Sequence, residues 1–196
     1  MALTGMGFMI FLIAHLAGNL NIYIGKDAFN AYAEGLQSLG PVLRLFEAGL
    51  IFFAAVHILT GGWLFYQNQR SRPQRYQVNK SGGGRTIGSR TMPYTGFIIL
   101  LFVVMHLFNF TFVDKTNTTV FDIVVSKFSN PFYVLVYIAA MIIVAIHVSH
   151  GFWSAFQSLG LSHSKYMPLI MVLSVVFAVV VGIGFGFLPV YVTLQA

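Results

Sequence analysis

The chain has 196 residues, of which 57% are hydrophobic and only 8% are charged, and its mean hydropathy is +0.79. A soluble domain carries about 45–50% apolar and about 25% charged residues, so this composition excludes an ordinary soluble globule and a disordered chain. There is no cysteine, which excludes disulfides, thiolate nucleophiles, iron–sulfur ligation by this chain and covalent c-type haem attachment.

Five apolar segments follow one another along the chain, over about residues 3–24, 42–66, 94–113, 132–156 and 167–192. Each is close to the roughly 20 residues that cross the hydrocarbon core of a membrane. The apolar residues are continuous rather than alternating, which fits helices and not barrel strands. Breakers separate the segments, among them Gly40-Pro41, Pro93 and Asn130-Pro131. The sequence therefore predicts one all-α integral membrane domain over residues 1–196, with five transmembrane helices in a lipid bilayer.

The net charge of +6 comes from one stretch between the second and third segments. Residues 67–92 hold six Lys and Arg residues and no acid, whereas the other five bases balance the five acids. The stretch has a single aromatic, Tyr76, and a nucleic-acid surface would interleave stacking aromatics among its bases, so no nucleic-acid partner is expected. The positive-inside bias predicts that this loop is cytoplasmic. The N-terminus then lies inside and the C-terminus outside.

Histidine is the informative residue, because five of the six lie in the first four predicted helices: His15, His57, His106, His147 and His150. An ionisable side chain within a bilayer is costly and normally faces the bundle interior with a partner. One such histidine is readily explained by a hydrogen bond to a neighbouring helix, but four helices that each carry one need a common partner. Haem iron with two axial histidines satisfies two imidazoles at once, and the porphyrin offers an apolar face to the Phe-rich surroundings.

An up-and-down bundle of the first four helices predicts how these histidines pair. Helices one and three lie diagonally opposite in such a bundle, as do helices two and four. A haem across each diagonal pairs His15 with His106, and His57 with one histidine of the fourth helix. His106 precedes Asp114, at the outer end, by 8 residues, or about 12 Å. The first pair is therefore expected nearer the outside and the second nearer the cytoplasm.

Spacing leaves two alternatives open. His147 and His150 are three residues apart and share a helix face, so one can ligate while the other bonds a propionate or a carbonyl.

Zinc is the main competing metal, but the chain has no H-E-x-x-H motif and its carboxylates lie only at the ends of the spans. The competing function of a different class is a haem-free transporter whose histidines form a proton relay.

Several runs resemble the cytochrome b membrane anchor of succinate dehydrogenase/fumarate reductase, of the single-subunit, five-helix, two-haem kind. Residues 15–20 (HLAGNL) are similar to the first helix of that family, and residues 25–32 (GKDAFNAY) to its first loop. Residues 89–92 (SRTM) precede a third helix that carries MHLF at 105–108. The most specific run is HGFWSAFQSLG at 150–160. The resemblance covers nearly the whole chain.

This resemblance implies two b haems, and it matches the axial ligands to His15 and His106 for the outer haem and to His57 and His150 for the inner one. In the family the histidine before glycine ligates, which favours His150 over His147. Some fumarate reductases of this kind have a glutamate two residues before that ligand. Here the position is Val148, which puts a transmembrane proton path through that carboxylate in doubt.

The resemblance also implies partners and a location. A flavoprotein subunit and an iron–sulfur subunit would dock on the cytoplasmic face of a prokaryotic inner membrane. Electrons would pass from succinate through flavin and clusters to the inner haem, the outer haem and then a quinone, usually menaquinone. The chain itself would not touch succinate.

Glu47 is a candidate for quinone chemistry. It lies ten residues before His57, near the outer end of the second helix, where a carboxylate could exchange protons with a quinone beside the outer haem. The alternative is an interfacial ion pair with Arg44, three residues earlier.

Three more residues are candidates for contacts with the cofactors. Ser89 and Arg90, at the inner start of the third helix, could hold propionates of the inner haem by charge-assisted hydrogen bonds. For both, membrane topology alone is the competing explanation. Asn19, one turn beyond His15, could bond a propionate or a quinone of the outer site, or simply pack.

Overall fold

The structure is a computed structural model that describes residues 1–71 and 86–195, and within these ranges the chain is helical with turns and no strands. The helices are α1 (Ala2–Asn19, continued by a 3₁₀ helix, Leu20–Tyr23), α2 (Lys26–Gln37), α3 (Pro41–Arg70), α4 (Ile87–Phe110), α5 (Val120–Phe128), α6 (Pro131–Ser158) and α7 (Met167–Gln195). Five of them are long and apolar enough to cross a membrane: α1 with its 3₁₀ extension, α3, α4, α6 and α7. The prediction of an all-α chain with five such helices is confirmed. Most of the basic stretch, residues 72–85, lies outside the described residues.

The starts of α3 and α6 follow the local chemistry that the sequence suggested. Gly40 takes a positive φ of 53°, and Pro41 begins α3, where a missing N–H costs nothing. Asn130 caps α6 by accepting a hydrogen bond from the Phe132 N–H at 3.0 Å. Pro93 was expected to break the chain before the third span, but it lies inside α4, which begins at Ile87. Membrane helices tolerate a proline because neighbouring groups satisfy the carbonyl that it leaves free.

Two short helices, α2 and α5, lie in connections between the long helices, which the sequence analysis treated as loops. Lys26 Nζ lies 2.8 Å from Asp122 Oδ1, and Asn30 Oδ1 accepts a hydrogen bond from the Phe121 N–H at 3.0 Å. Beneath these bonds Phe29 of α2 and Phe128 of α5 are buried in one apolar cluster with residues of α6 and α7. We call α2 and α5 together the cap, because they cover the end of the molecule where α1 and α4 end.

Helix α6 is the most enclosed span. It contacts α1, α4 and α7, and the apolar core that it shares with α7 consists of Ala140, Met141, Val144, Val148, Ala178 and Val181. A small residue allows α4 to approach closely, because a Cβ atom at Gly88 would lie 2.7 Å from the His150 Cβ atom. This approach brings the start of α4 against the histidine-bearing face of α6.

Helix α3 contrasts with α6. It contacts α1 and α4, yet none of its thirty residues, all of which the structure describes, is buried. The helix that carries His57 is therefore the most loosely packed of the five.

Candidate functional site

One pair of predicted ligands lies together between α1 and α4. The rings of His15 and His106 have centroids 6.0 Å apart and an interplanar angle of 87°. A metal–imidazole nitrogen bond is about 2 Å long, so two imidazoles on opposite sides of one metal ion have centroids roughly 6 Å apart. The separation that the structure gives this pair is thus compatible with two axial ligands of one iron.

Aromatic side chains surround this pair. Phe11 stacks on His15 with centroids 5.2 Å apart, and Phe185 of α7 lies 5.4 Å from the same ring. Phe102 and Phe110 flank His106 at 5.9 and 5.2 Å. An apolar wall of this kind fits the flat apolar face of a porphyrin.

Two polar residues that the sequence analysis missed adjoin His106. The Tyr137 hydroxyl oxygen lies 3.4 Å from His106 Nδ1. Asn109, which is only 6% exposed, donates from Nδ2 to that hydroxyl oxygen at 3.1 Å. Polar groups inside membrane spans usually have a partner and often a function. The sequence alone could therefore have marked Asn109 and Tyr137, which both lie within predicted spans.

A second group of histidines lies near the other end of the spans. His57 Nδ1 is 3.1 Å from Thr4 Oγ1, and His147 Nδ1 is 3.0 Å from Thr95 Oγ1. His150 packs its ring edge-on against Trp153, with centroids 4.8 Å apart. The structure therefore brings His57 to α1 and His147 to α4, but among the described residues no ring contact joins His57 to His150.

The two groups occupy different depths along the helices. Thr4 and His15 are 11 residues apart on α1, and Thr95 and His106 are also 11 residues apart on α4. At 1.5 Å per residue, both intervals correspond to roughly 16 Å. We call the His15–His106 group the cap-side site and the His57, His147 and His150 group the far site.

The donor set fits a cofactor that brings most of its own ligands. In the part of the chain that the structure describes, no three His, Asp or Glu side chains are grouped as a metal site, whereas haem iron needs only two protein ligands beside its porphyrin nitrogens. At the far site, His150 Nδ1 is buried and has no hydrogen-bond partner among the described residues. An unsatisfied buried nitrogen is costly, which is consistent with a site completed by a further group.

Glu47, the candidate for quinone chemistry, forms an ion pair in the structure. Arg44 Nη1 lies 2.8 Å from Glu47 Oε2, with the two side chains 79% and 41% exposed. This is the alternative that the sequence offered, and proton exchange with a quinone at Glu47 stays a prediction.

Two of the other three candidate residues, Asn19 and Ser89, donate hydrogen bonds to backbone carbonyl oxygens. Asn19 Nδ2 donates to the His15 carbonyl oxygen at 2.8 Å. Ser89 Oγ donates to the Thr86 carbonyl oxygen at 2.9 Å, within the first turn of α4. Arg90 is exposed at the same end of α4. The predicted roles of these residues toward propionates or a quinone remain predictions.

Comparison with known proteins adds independent information. The family model described as succinate dehydrogenase/fumarate reductase transmembrane subunit matches residues 67–183, which is more than half of the chain and includes His106, His147 and His150. The succinate dehydrogenase cytochrome b558 subunit of Bacillus subtilis (strain 168) is 27% identical over 160 residues, covering 78% of this chain and 73% of the relative. No solved structure matches the chain.

Proposed function

Because this chain belongs to the family of succinate dehydrogenase/fumarate reductase transmembrane subunits, we propose that it is the two-haem cytochrome b of a succinate:quinone oxidoreductase. It anchors the flavoprotein and iron–sulfur subunits and relays electrons to a membrane quinone. The single observation that supports this role most is the 6.0 Å separation of the His15 and His106 rings inside an aromatic wall.

Each haem would be held by residues on diagonally opposite helices. His15 and His106 would hold the outer haem at the cap-side site, and His57 and His150 would hold the inner haem at the far site. The contacts of α1 with α3, α3 with α4, α4 with α6 and α6 with α1 support this up-and-down arrangement. The depth difference of roughly 16 Å supports two haems rather than one.

When bound, the haems would supply one-electron redox chemistry. The residues of the chain bind and orient the haems and keep water away from them. The phenylalanines exclude water at the cap-side site, and the cap lies between that site and the outer aqueous phase. The electrons reach a quinone, usually menaquinone in proteins of this kind.

The direction of the chain follows from its charge. The basic stretch faces the cytoplasm of a prokaryotic inner membrane, so the N-terminus and the far site lie on that side, and the C-terminus and the cap lie outside. The flavoprotein and iron–sulfur subunits then dock beside the inner haem. This chain performs no succinate chemistry of its own.

The first experiment counts the haem. The purified full-length protein is expected to give sharp low-spin b-type bands in a reduced-minus-oxidised spectrum, and a pyridine haemochrome assay is expected to give two haems per chain. Haem-free protein that is folded in detergent would overturn the proposal and favour a transporter with a histidine proton relay.

The second experiment assigns the ligands by single replacements. His57→Ala or His150→Ala should remove one spectral species, and His15→Ala or His106→Ala the other, because each iron loses an axial ligand. His163→Ala, in the loop before α7, is the matched control and should retain both haems.

Two outcomes would contradict the assignment of ligands. Loss of the same species from His57→Ala and His15→Ala would show that the diagonal pairing is wrong. Loss of the inner haem from His147→Ala, with its retention in His150→Ala, would move the fourth ligand to His147.

A further inference from the structure

Thr4 lies at a contact between α1 and α3 that no sequence motif marks. It is 7% exposed, in the first turn of α1. Its Oγ1 atom lies 2.9 Å from the Met1 carbonyl oxygen and 3.1 Å from His57 Nδ1. The hydroxyl therefore has one neighbour that can only accept a hydrogen bond and one neighbour that can do either.

The single hydroxyl hydrogen decides the direction of both bonds. The Thr4 hydroxyl donates its hydrogen to the Met1 carbonyl oxygen at 2.9 Å, and that oxygen also accepts from the Gly5 N–H at 2.8 Å. Toward His57 the hydroxyl oxygen is then left as an acceptor. With the hydroxyl hydrogen donated to Met1, the bond between Thr4 and His57 takes its hydrogen from Nδ1, and in the neutral imidazole this leaves the lone pair on Nε2.

Other α1 residues hold the same ring. The Phe8 ring meets the His57 ring edge-on, with centroids 5.8 Å apart at 87°. Gly5 lies against the ring as well, since a Cβ atom there would be 3.5 Å from His57 Cε1. The first two turns of α1 thus set both the orientation and the hydrogen-bonding of this imidazole.

We propose that Thr4 is a positioning residue for the inner haem, because its hydroxyl fixes His57 in the tautomer whose Nε2 is free to bind iron. This inference rests on the proposed function, since it takes His57 as an axial ligand. A ligating histidine generally donates its other ring N–H to an acceptor, which fixes its orientation and makes it a more basic ligand. A more basic ligand stabilises ferric over ferrous iron and so lowers the reduction potential of the haem.

The experiment compares Thr4→Val, which removes the hydroxyl and keeps the shape, with Thr4→Ser, which keeps the hydroxyl. Thr60→Val is the control, since Thr60 lies on α3 and its hydroxyl donates within its own helix, to the Val56 carbonyl oxygen at 2.6 Å. Each purified full-length variant is examined by pyridine haemochrome, by redox titration of both haems and by electron paramagnetic resonance of the ferric state. The inner haem is the species that His57→Ala removes.

The expected result is a higher potential of the inner haem in Thr4→Val, or its loss, with the outer haem unchanged. Thr4→Ser and Thr60→Val should match the unmodified protein. The inference is overturned by an unchanged or lower inner potential in Thr4→Val, by a Thr4→Ser variant as altered as Thr4→Val, or by an equal shift in Thr60→Val. Haem-free unmodified protein, or a His57→Ala variant that keeps both haems, would instead refute the proposed function.

Discussion

At the scale of single residues, side-chain hydroxyls lie beside three of the imidazoles inside the spans, those of His57, His106 and His147. Thr95 repeats at His147 the arrangement of Thr4 at His57, since its Oγ1 atom lies 3.1 Å from the Thr91 carbonyl oxygen and 3.0 Å from His147 Nδ1. Such bonds matter in an apolar interior because a buried polar group without a partner costs about 1–3 kcal/mol. They also give these histidines polar partners within long apolar helices.

Tyr137→Phe tests the corresponding arrangement at the cap-side site. The change removes the hydroxyl that accepts from Asn109 and lies beside His106. Because Asn109 is then buried without this partner, we expect a loss of stability of about 1–3 kcal/mol, measured as a lower thermal unfolding midpoint in detergent.

Tyr133→Phe is the control for this change. Tyr133 lies one turn earlier on α6 and offers its ring to Lys127 Nζ, 4.6 Å from the ring centroid, and phenylalanine keeps that ring. An equal loss of stability in both variants would contradict a specific role for the Tyr137 hydroxyl.

The sequence could indicate the histidines but not these partners. Thr4 and His57 are 53 residues apart, and hydropathy shows only that each lies in a long apolar segment. Their contact depends on the rotation of α1 and α3 about their axes. The spacing of residues within one helix does not determine that rotation. The 6.0 Å approach of the His15 and His106 rings could be anticipated only because a bundle of four helices limits which helices face each other. Their pairing on one iron stays a prediction.

At the scale of elements, the cap is built from polar contacts on an apolar base. Thr119 caps the start of α5 and accepts a hydrogen bond from the Asp122 N–H at 3.2 Å. Threonine followed three residues later by an acid before an apolar run is a known start signal for a helix, so α5 could have been found in the sequence. The helix was missed because the sequence analysis looked for apolar segments of about 20 residues, and α5 has only nine.

The ion pair between α2 and α5 makes the cap sensitive to pH. The hydrogen bond from Lys26, followed by that from Thr119, holds the pKa of Asp122 below the usual carboxyl value. Because the pKa of Asp122 is lower in the folded chain, ionised Asp122 stabilises the fold. This stabilisation is fully present above the ordinary carboxyl pKa and is lost as the pH falls through the lowered value. Both partners are about half exposed, so added salt should weaken the pair.

Lys26→Gln should therefore raise the pKa of Asp122 toward its ordinary value. The chain has only three aspartates, Asp27, Asp114 and Asp122, so carboxyl-carbon NMR of aspartate-labelled protein resolves the titration. Asp114 is the internal control, because hydrogen bonds from Thr116 lower its pKa and Lys26 does not. An unshifted Asp122 would contradict the inter-helix pair.

At the scale of the whole molecule, packing is uneven around the bundle. α6 and α7 share a dense core, in which Val181 is only 1% exposed, whereas α3 has no buried residue. Five spans were predictable because hydropathy is a property of about 20 residues at once. The unequal packing of the helices could not be predicted, because it depends on which small side chains allow two helices to approach each other.

This asymmetry predicts that haem orders α3 relative to α6. Because the chain has no cysteine, spin labels can be placed at Leu59→Cys on α3 and Ile142→Cys on α6, both exposed positions. Distances between the labels, measured by pulsed electron resonance, should be more narrowly distributed in protein with haem than in protein made without it. Labels at Ile142→Cys and Val175→Cys, on α6 and α7, are the control and should not change.

The absence of buried residues in α3 also has a consequence for how a cofactor could enter the protein. The α6–α7 core contains no residue of α3. If haem enters the folded chain, as the proposed function requires, the edge formed by α3 is the side that can open for a flat macrocycle without disrupting that core.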